Sequence, residues 1–95
     1  MTSKDRSYLR SIAQTVEPIG QIGKGGISEN MLSGISDALD KREIVKLTVL
    51  KNSDDEAAGI IDELAKRLNA EPVCSIGRKI ILYRKSKKDG VKHLL

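Results

Sequence analysis

Gly23-Lys24-Gly25-Gly26 is the segment of this 95-residue chain whose residue types and spacing could do chemistry. Glycines let a backbone approach a guest closely, and free N–H groups near a helix N-terminus attract an anion. Lys24 adds a mobile positive charge at the tip, so a phosphate is the natural guest. A nucleoside triphosphate site needs Gly-x-x-x-x-Gly-Lys-Ser/Thr, which the segment lacks. The dinucleotide pattern Gly-x-Gly-x-x-Gly fails as well, because no glycine stands three positions after Gly25. What stays open is a plain tight turn or a clamp on a nucleic-acid backbone of the Gly-x-x-Gly kind.

Seventeen Lys and Arg against thirteen Asp and Glu give a net charge of +4, and that charge is unevenly placed. Between Arg78 and Lys92 stand Arg78, Lys79, Arg84, Lys85, Lys87, Lys88 and Lys92, against Asp89 alone. Between Ser53 and Gly77, Lys66 and Arg67 face Asp54, Asp55, Glu56, Asp62, Glu63 and Glu71. The acidic stretch is expected to face away from a polyanion, and the basic one to add salt-sensitive affinity or simply keep a tail soluble.

Other chemistries find little support. Catalysis needs a nucleophile with a base, a metal or paired carboxylates in a cleft, and no such constellation is visible, so a non-enzyme is expected. His93, the single histidine, has no cysteine cluster beside it, and no metal or cofactor is expected. Cys74, the single cysteine, reads as a buried thiol. Tyr8 and Tyr83, the only aromatics, read as core residues rather than base-stacking platforms. No apolar run approaches a membrane span, and the N-terminus lacks the apolar region of a secretory leader, which predicts a cytoplasmic protein.

The elements that must position the loop follow from spacing. Thr2 to Asp5 has the form of a capping box, and Tyr8, Leu9, Ile12, Ala13 and Val16 recur at helical intervals until Pro18. Arg6 and Arg10, four apart, share one side of that helix. Ile19–Ile22 reads as a short strand running into the glycines. Ser28 caps a second helix with the stripe Met31, Leu32, Ile35, Ala38 and Leu39, ending near Lys41 and Arg42. Gly34 inside it suggests a backbone passing close by.

Glu43–Lys51 reads as a central strand covered on both faces. Ser53 to Glu56 forms another capping box, opening a third helix that carries Ile60, Ile61, Leu64, Ala65 and Leu68 and ends at Asn69. Val73–Ile76 and Ile80–Arg84 form a hairpin through Gly77-Arg78, a type II′ turn. The order α-β-α-β-α-β-β predicts a small α/β domain of three helices on a mixed four-stranded sheet, with parallel pairing across both strand-helix-strand units. One domain over residues 1–86 is expected, followed by a mobile basic tail over 87–95.

Four linked motifs carry a family resemblance. Lys4-Asp5-Arg6-Ser7-Tyr8-Leu9-Arg10-Ser11-Ile12-Ala13, Gln21-Ile22-Gly23-Lys24-Gly25-Gly26-Ile27-Ser28, Arg42-Glu43-Ile44-Val45-Lys46-Leu47 and Ile76-Gly77-Arg78-Lys79-Ile80-Ile81-Leu82-Tyr83-Arg84 together resemble the CRM domain. The name stands for chloroplast RNA splicing and ribosome maturation, and the chain is most similar to the stand-alone bacterial members of the YhbY type. The resemblance implies a fold similar to the C-terminal domain of a bacterial translation initiation factor. It also implies ribosomal RNA in a large-subunit precursor as partner, with no membrane and no small-molecule substrate. Carried over by position, the RNA-facing candidates are Lys4, Arg6 and Arg10, then Gly23, Lys24, Gly25 and Gly26, with Arg84 as an outlying one. Asp5, Ser7 and Thr48 depart from the family pattern, which implies weaker binding along the first helix. Two other readings remain: a protein-protein adaptor using the sheet face or the acidic third helix, and an enzyme acting on a small phosphorylated metabolite.

Overall fold

A computed structural model describes residues 1–51 and 57–95. The expected Ser53 to Glu56 capping box lies outside these residues. Helix α1 (Ser3–Ala13) starts as its residues dictate: the Asp5 N–H donates to Thr2 Oγ1, and the Thr2 N–H donates back to the Asp5 carboxylate. It stops well before Pro18. Lys46 Nζ donates to the Ala13 carbonyl at 3.1 Å, and the Val16 N–H turns back to the same oxygen.

Strand β1 (Gln21–Ile22) pairs in parallel with β2 (Ile44–Val49), with Gln21 opposite Thr48. Helix α2 (Glu29–Arg42) connects them. Helix α3 (Ala57–Leu68) then leads to β3 (Glu71–Ile76) and β4 (Lys79–Tyr83). Asn69 takes the left-handed cap expected of it, at φ 53°. At the hairpin Gly77 has φ 59° while Arg78 keeps a negative φ, the combination a type II′ turn requires.

The sheet order is β1-β2-β4-β3. The strand-helix-strand unit through α2 pairs in parallel as expected, whereas the unit through α3 does not. Strand β3 runs in the direction of β2, but β4 folds back between them and takes both sets of hydrogen bonds. The hairpin therefore fills the gap that the crossover leaves.

Alternation along β2 and β4 separates two cores. Val45, Leu47, Val49, Ile80 and Leu82 pack against α2 and α3, together with Ile35, Leu39, Ile60, Ile61, Leu64 and Leu68. Ile44, Ile81 and Tyr83 face the other way and pack against Leu9 and Ala13 of α1. Tyr83 is thus a core residue, as expected, but Tyr8 is not: it lies 51% exposed on the outer side of α1, where the helix has no second neighbour. Gly34 is a further correction, since a side chain there would meet open space rather than a backbone.

Glu43 is the largest departure from the expected strand. It ends α2 in the left-handed region at φ 66° and is fully buried. Its carboxylate accepts the N–H groups of Ser86 and Leu94, each at 2.7 Å, and lies 2.6 Å from His93 Nδ1. The stretch after β4, which carries no helix or strand, is thereby brought back onto the α2-β2 junction. Burial alone would raise the Glu43 pKa; the hydrogen bonds from His93, Ser86 and Leu94 outweigh it, and the net shift is downward.

A carboxylate whose folded pKa is depressed contributes stability above its unfolded value, and that stability is lost as pH falls through the folded one. Denaturant titrations are expected to show stability declining below the ordinary value of 4.5, with a shallower acid dependence in Glu43→Gln. At neutral pH Glu43→Ala, which strands the buried Ser86 N–H and the part-buried Leu94 N–H, should cost about 2–4 kcal/mol.

Candidate functional site

The glycine segment folds as a closed turn. The Gly26 N–H donates to the Gly23 carbonyl at 3.0 Å, and Gly26 takes φ 71°. Ile27 then packs into the α2 and α3 core, and Ser28 Oγ caps α2 by accepting the Met31 N–H. Two residues therefore separate the turn from the helix, Ile27 and the cap Ser28, as the capping pattern in the sequence led one to expect. Ile27 before the cap and Leu32 in the first turns of α2 both pack against the core, the arrangement of a hydrophobic staple. What the turn presents outward is Lys24 and Gly25, both exposed.

Register places this turn relative to the rest. It leaves β1 just beyond the Ile22 to Val49 pair, at the end of the sheet where β4 begins. There the Val49 N–H donates to the Arg78 carbonyl, and Arg78 Nη1 reaches the Leu50 carbonyl at 3.4 Å. One pair inward, Gln21 of β1 faces Thr48 of β2, and Thr48 faces Lys79 of β4. Two interstrand spacings, about 10 Å, thus separate Gln21 from Lys79. Lys79 Nζ donates to Thr48 Oγ1 at 2.8 Å.

Helix α1 covers only part of this face. Its C-terminal half ends above Lys46, so Arg10, Gln14, Lys46 and Lys79 come together around a recess of about 100 Å³ whose apolar lining is Ala13, Ile76 and Ile81. Arg6 lies on the same flank of the helix: it, Arg10 and Lys46 all exert a positive field on Cys74 of β3. Burial is the largest influence on that thiol, and it raises the Cys74 pKa despite those charges. Cys74 is half-buried rather than enclosed.

The candidates from the sequence therefore divide. Arg6 and Arg10 share one cationic face of α1, and Gly23 to Gly26 with Lys24 stand at the loop end of the sheet. Lys4 sits in the first turn of α1, toward the opposite end, where the Met1 amino group meets Glu71 at 3.4 Å. Arg84 stands apart altogether. Its guanidinium donates to the carbonyls of Leu68 and Ser36 at 2.8 and 2.9 Å, and pairs with Asp40 at 3.1 Å, joining α2, α3 and β4.

Lys46 and Lys79 escaped the sequence reading, although they lie between α1 and the glycine turn. The alternation of Lys46 and Thr48 with Val45, Leu47 and Val49 is a signal for Lys46, because period-two polarity marks a strand face left open; the run Ile80-Ile81-Leu82 after Lys79 gives no such signal. The acidic residues Asp62 and Glu63 are exposed on α3, across the sheet from these cations. Among the described residues, no helix is long and apolar enough to cross a membrane.

Comparison with known proteins gives a consistent result. The family model described as the CRS1/YhbY (CRM) domain matches residues 1–84. The "Probable RNA-binding protein YqeI" of Bacillus subtilis (strain 168) is 38% identical over 89 residues, covering 94% of this chain and 93% of that protein. An "RNA-binding protein" of Haemophilus influenzae is 27% identical, over 97% of this chain and 93% of its own length. The solution structure of Staphylococcus aureus SAV1595 matches with a TM-score of 0.78 at 44% identity, covering 94% of this chain and 93% of that one.

The turn geometry sets an internal comparison. Gly26→Ala forces a side chain into the left-handed region and should lower stability by about 1–2 kcal/mol. Gly25→Ala has open space around it and should stay within about 0.5 kcal/mol of the parent. Chemical denaturation of the two variants checks both.

Proposed function

This chain belongs to the CRS1/YhbY (CRM) domain family, and from that membership we propose that it binds RNA, specifically ribosomal RNA within a large-subunit precursor, and assists assembly of that particle. The observation that carries the reading is the group of cations Arg6, Arg10, Lys46 and Lys79 on the sheet face opposite α3, with the glycine turn at the loop end of the same sheet. Relatives that match nearly end to end are named as RNA-binding proteins, which supports the same partner here.

The mechanism is positional. Lys24 and the exposed backbone of the turn hold a phosphate, and Arg6 and Arg10 hold further phosphates along α1. Lys46 and Lys79 bridge the two. Such contacts fix the register of an RNA chain and give affinity with modest sequence readout. The proposed action is binding, with no covalent bond made or broken.

Lys24→Ala combined with Gly25→Asp is expected to weaken binding to ribosomal RNA by about tenfold, because a cation is lost and an anion gained at the turn. The thermal midpoint should stay close to the parent value. Undiminished binding by the folded double variant overturns the role of the turn. Affinity of the parent protein should also fall steeply with added salt, and a flat titration would argue against backbone contacts.

A further inference from the structure

Among the described residues Ile76 is the most exposed of the large apolar side chains, at 55%, and it stands inside the cationic face rather than away from it. It forms one wall of the recess of about 100 Å³ beneath the C-terminal half of α1. Ala13 and Ile81, both buried in the α1 core, supply the apolar floor. Gln14 brings a side-chain amide to the rim, able to donate and to accept. Arg10, Lys46 and Lys79 surround the opening.

Each part has a structural cause. The recess exists because α1 ends at Ala13 while the β3-β4 hairpin runs on to Ile76 and Lys79. Lys46 is held against the Ala13 carbonyl and Lys79 against Thr48, so both ammonium groups are fixed at the margin instead of sweeping across the opening. An apolar slot with an amide at its edge and cations around it matches a flat, apolar-faced ring that carries polar edges and is flanked by negative charge. A nucleotide of an RNA strand has that chemistry.

We propose that this recess is a binding site for one unstacked nucleobase of a single-stranded RNA segment. The base lodges against Ile76, Ala13 and Ile81, the Gln14 amide meets its polar edge, and Arg10, Lys46 and Lys79 take the flanking phosphates. The proposal rests on the RNA-binding reading and adds to it a contact that a backbone clamp does not provide. In a duplex the bases are stacked and paired and cannot enter, so the site selects single strands, loops or bulges.

The test compares a short oligouridylate with an abasic oligoribonucleotide of the same length, which keeps every phosphate and lacks the bases. Fluorescence anisotropy at one salt concentration gives both affinities. The parent protein is expected to prefer the base-bearing strand by about tenfold, a contribution typical of one well-seated base. Ile76→Ser and, separately, Gln14→Leu should bring that preference toward unity, and circular dichroism checks that each variant keeps its fold. Equal affinity of the parent protein for the two strands overturns the base site while leaving backbone binding intact. A preference that survives in both variants overturns it too, since the base would be read elsewhere. Failure to bind either strand, with no binding of ribosomal RNA, removes the RNA reading itself.

Discussion

Three helices cannot cover the two faces of this sheet equally. The two central strands, β2 and β4, are apolar on both sides, so each face must be roofed. Helices α2 and α3 together roof one. The other has only α1, which at eleven residues is about 16 Å long and seals just Ile44, Ile81 and Tyr83 with the neighbouring Val73. Beyond its end the strands change character: Lys46, Thr48 and Lys79 replace aliphatic side chains on the open side. The cationic strip and the small recess beneath α1 both follow from that shortfall.

That arrangement separates two kinds of positive charge. Arg84 sits on the closed side of the molecule, where four hydrogen bonds fasten it between α2, α3 and β4. Its planar fork suits such multidentate holding. Arg6 and Arg10 remain exposed along α1, and Lys46 and Lys79 each make one internal bond at the edge of the recess. Residues that the sequence presents as equivalent cations thus differ in what their donors touch. One motif marks both kinds alike, because Lys79 and Arg84 stand in the same short stretch of chain.

Much of the fold was legible because its signals are local. The Thr2 capping box, the Asn69 cap, the Gly77 turn and the α3 stripe each depend on residues within a few positions. What escaped is non-local. Insertion of β4 between β2 and β3 depends on hydrogen bonds between segments far apart in the chain. Glu43 read as the first residue of a strand, since nothing nearby shows that Ser86, His93 and Leu94 return to its carboxylate. Tyr8 matched a helical stripe but fell on its outer margin. Of the candidate site, the motifs identified the turn and the α1 arginines. The alternation along β2 hints at Lys46, but its convergence with Lys79 on one recess became visible only in the folded sheet.

The two outer strands have a further consequence. Strand β1 is two residues long, and β3 is irregular between Pro72 and Cys74, with a proline that has no N–H to offer. A sheet grows by recruiting another chain onto a long, flat, unpaired margin, and neither side of this one provides it. Many copies crowded along a single polyanion would therefore lie next to one another without zipping into β-linked aggregates. For a small basic protein concentrated by its own electrostatics, blunt margins are a safeguard of solubility.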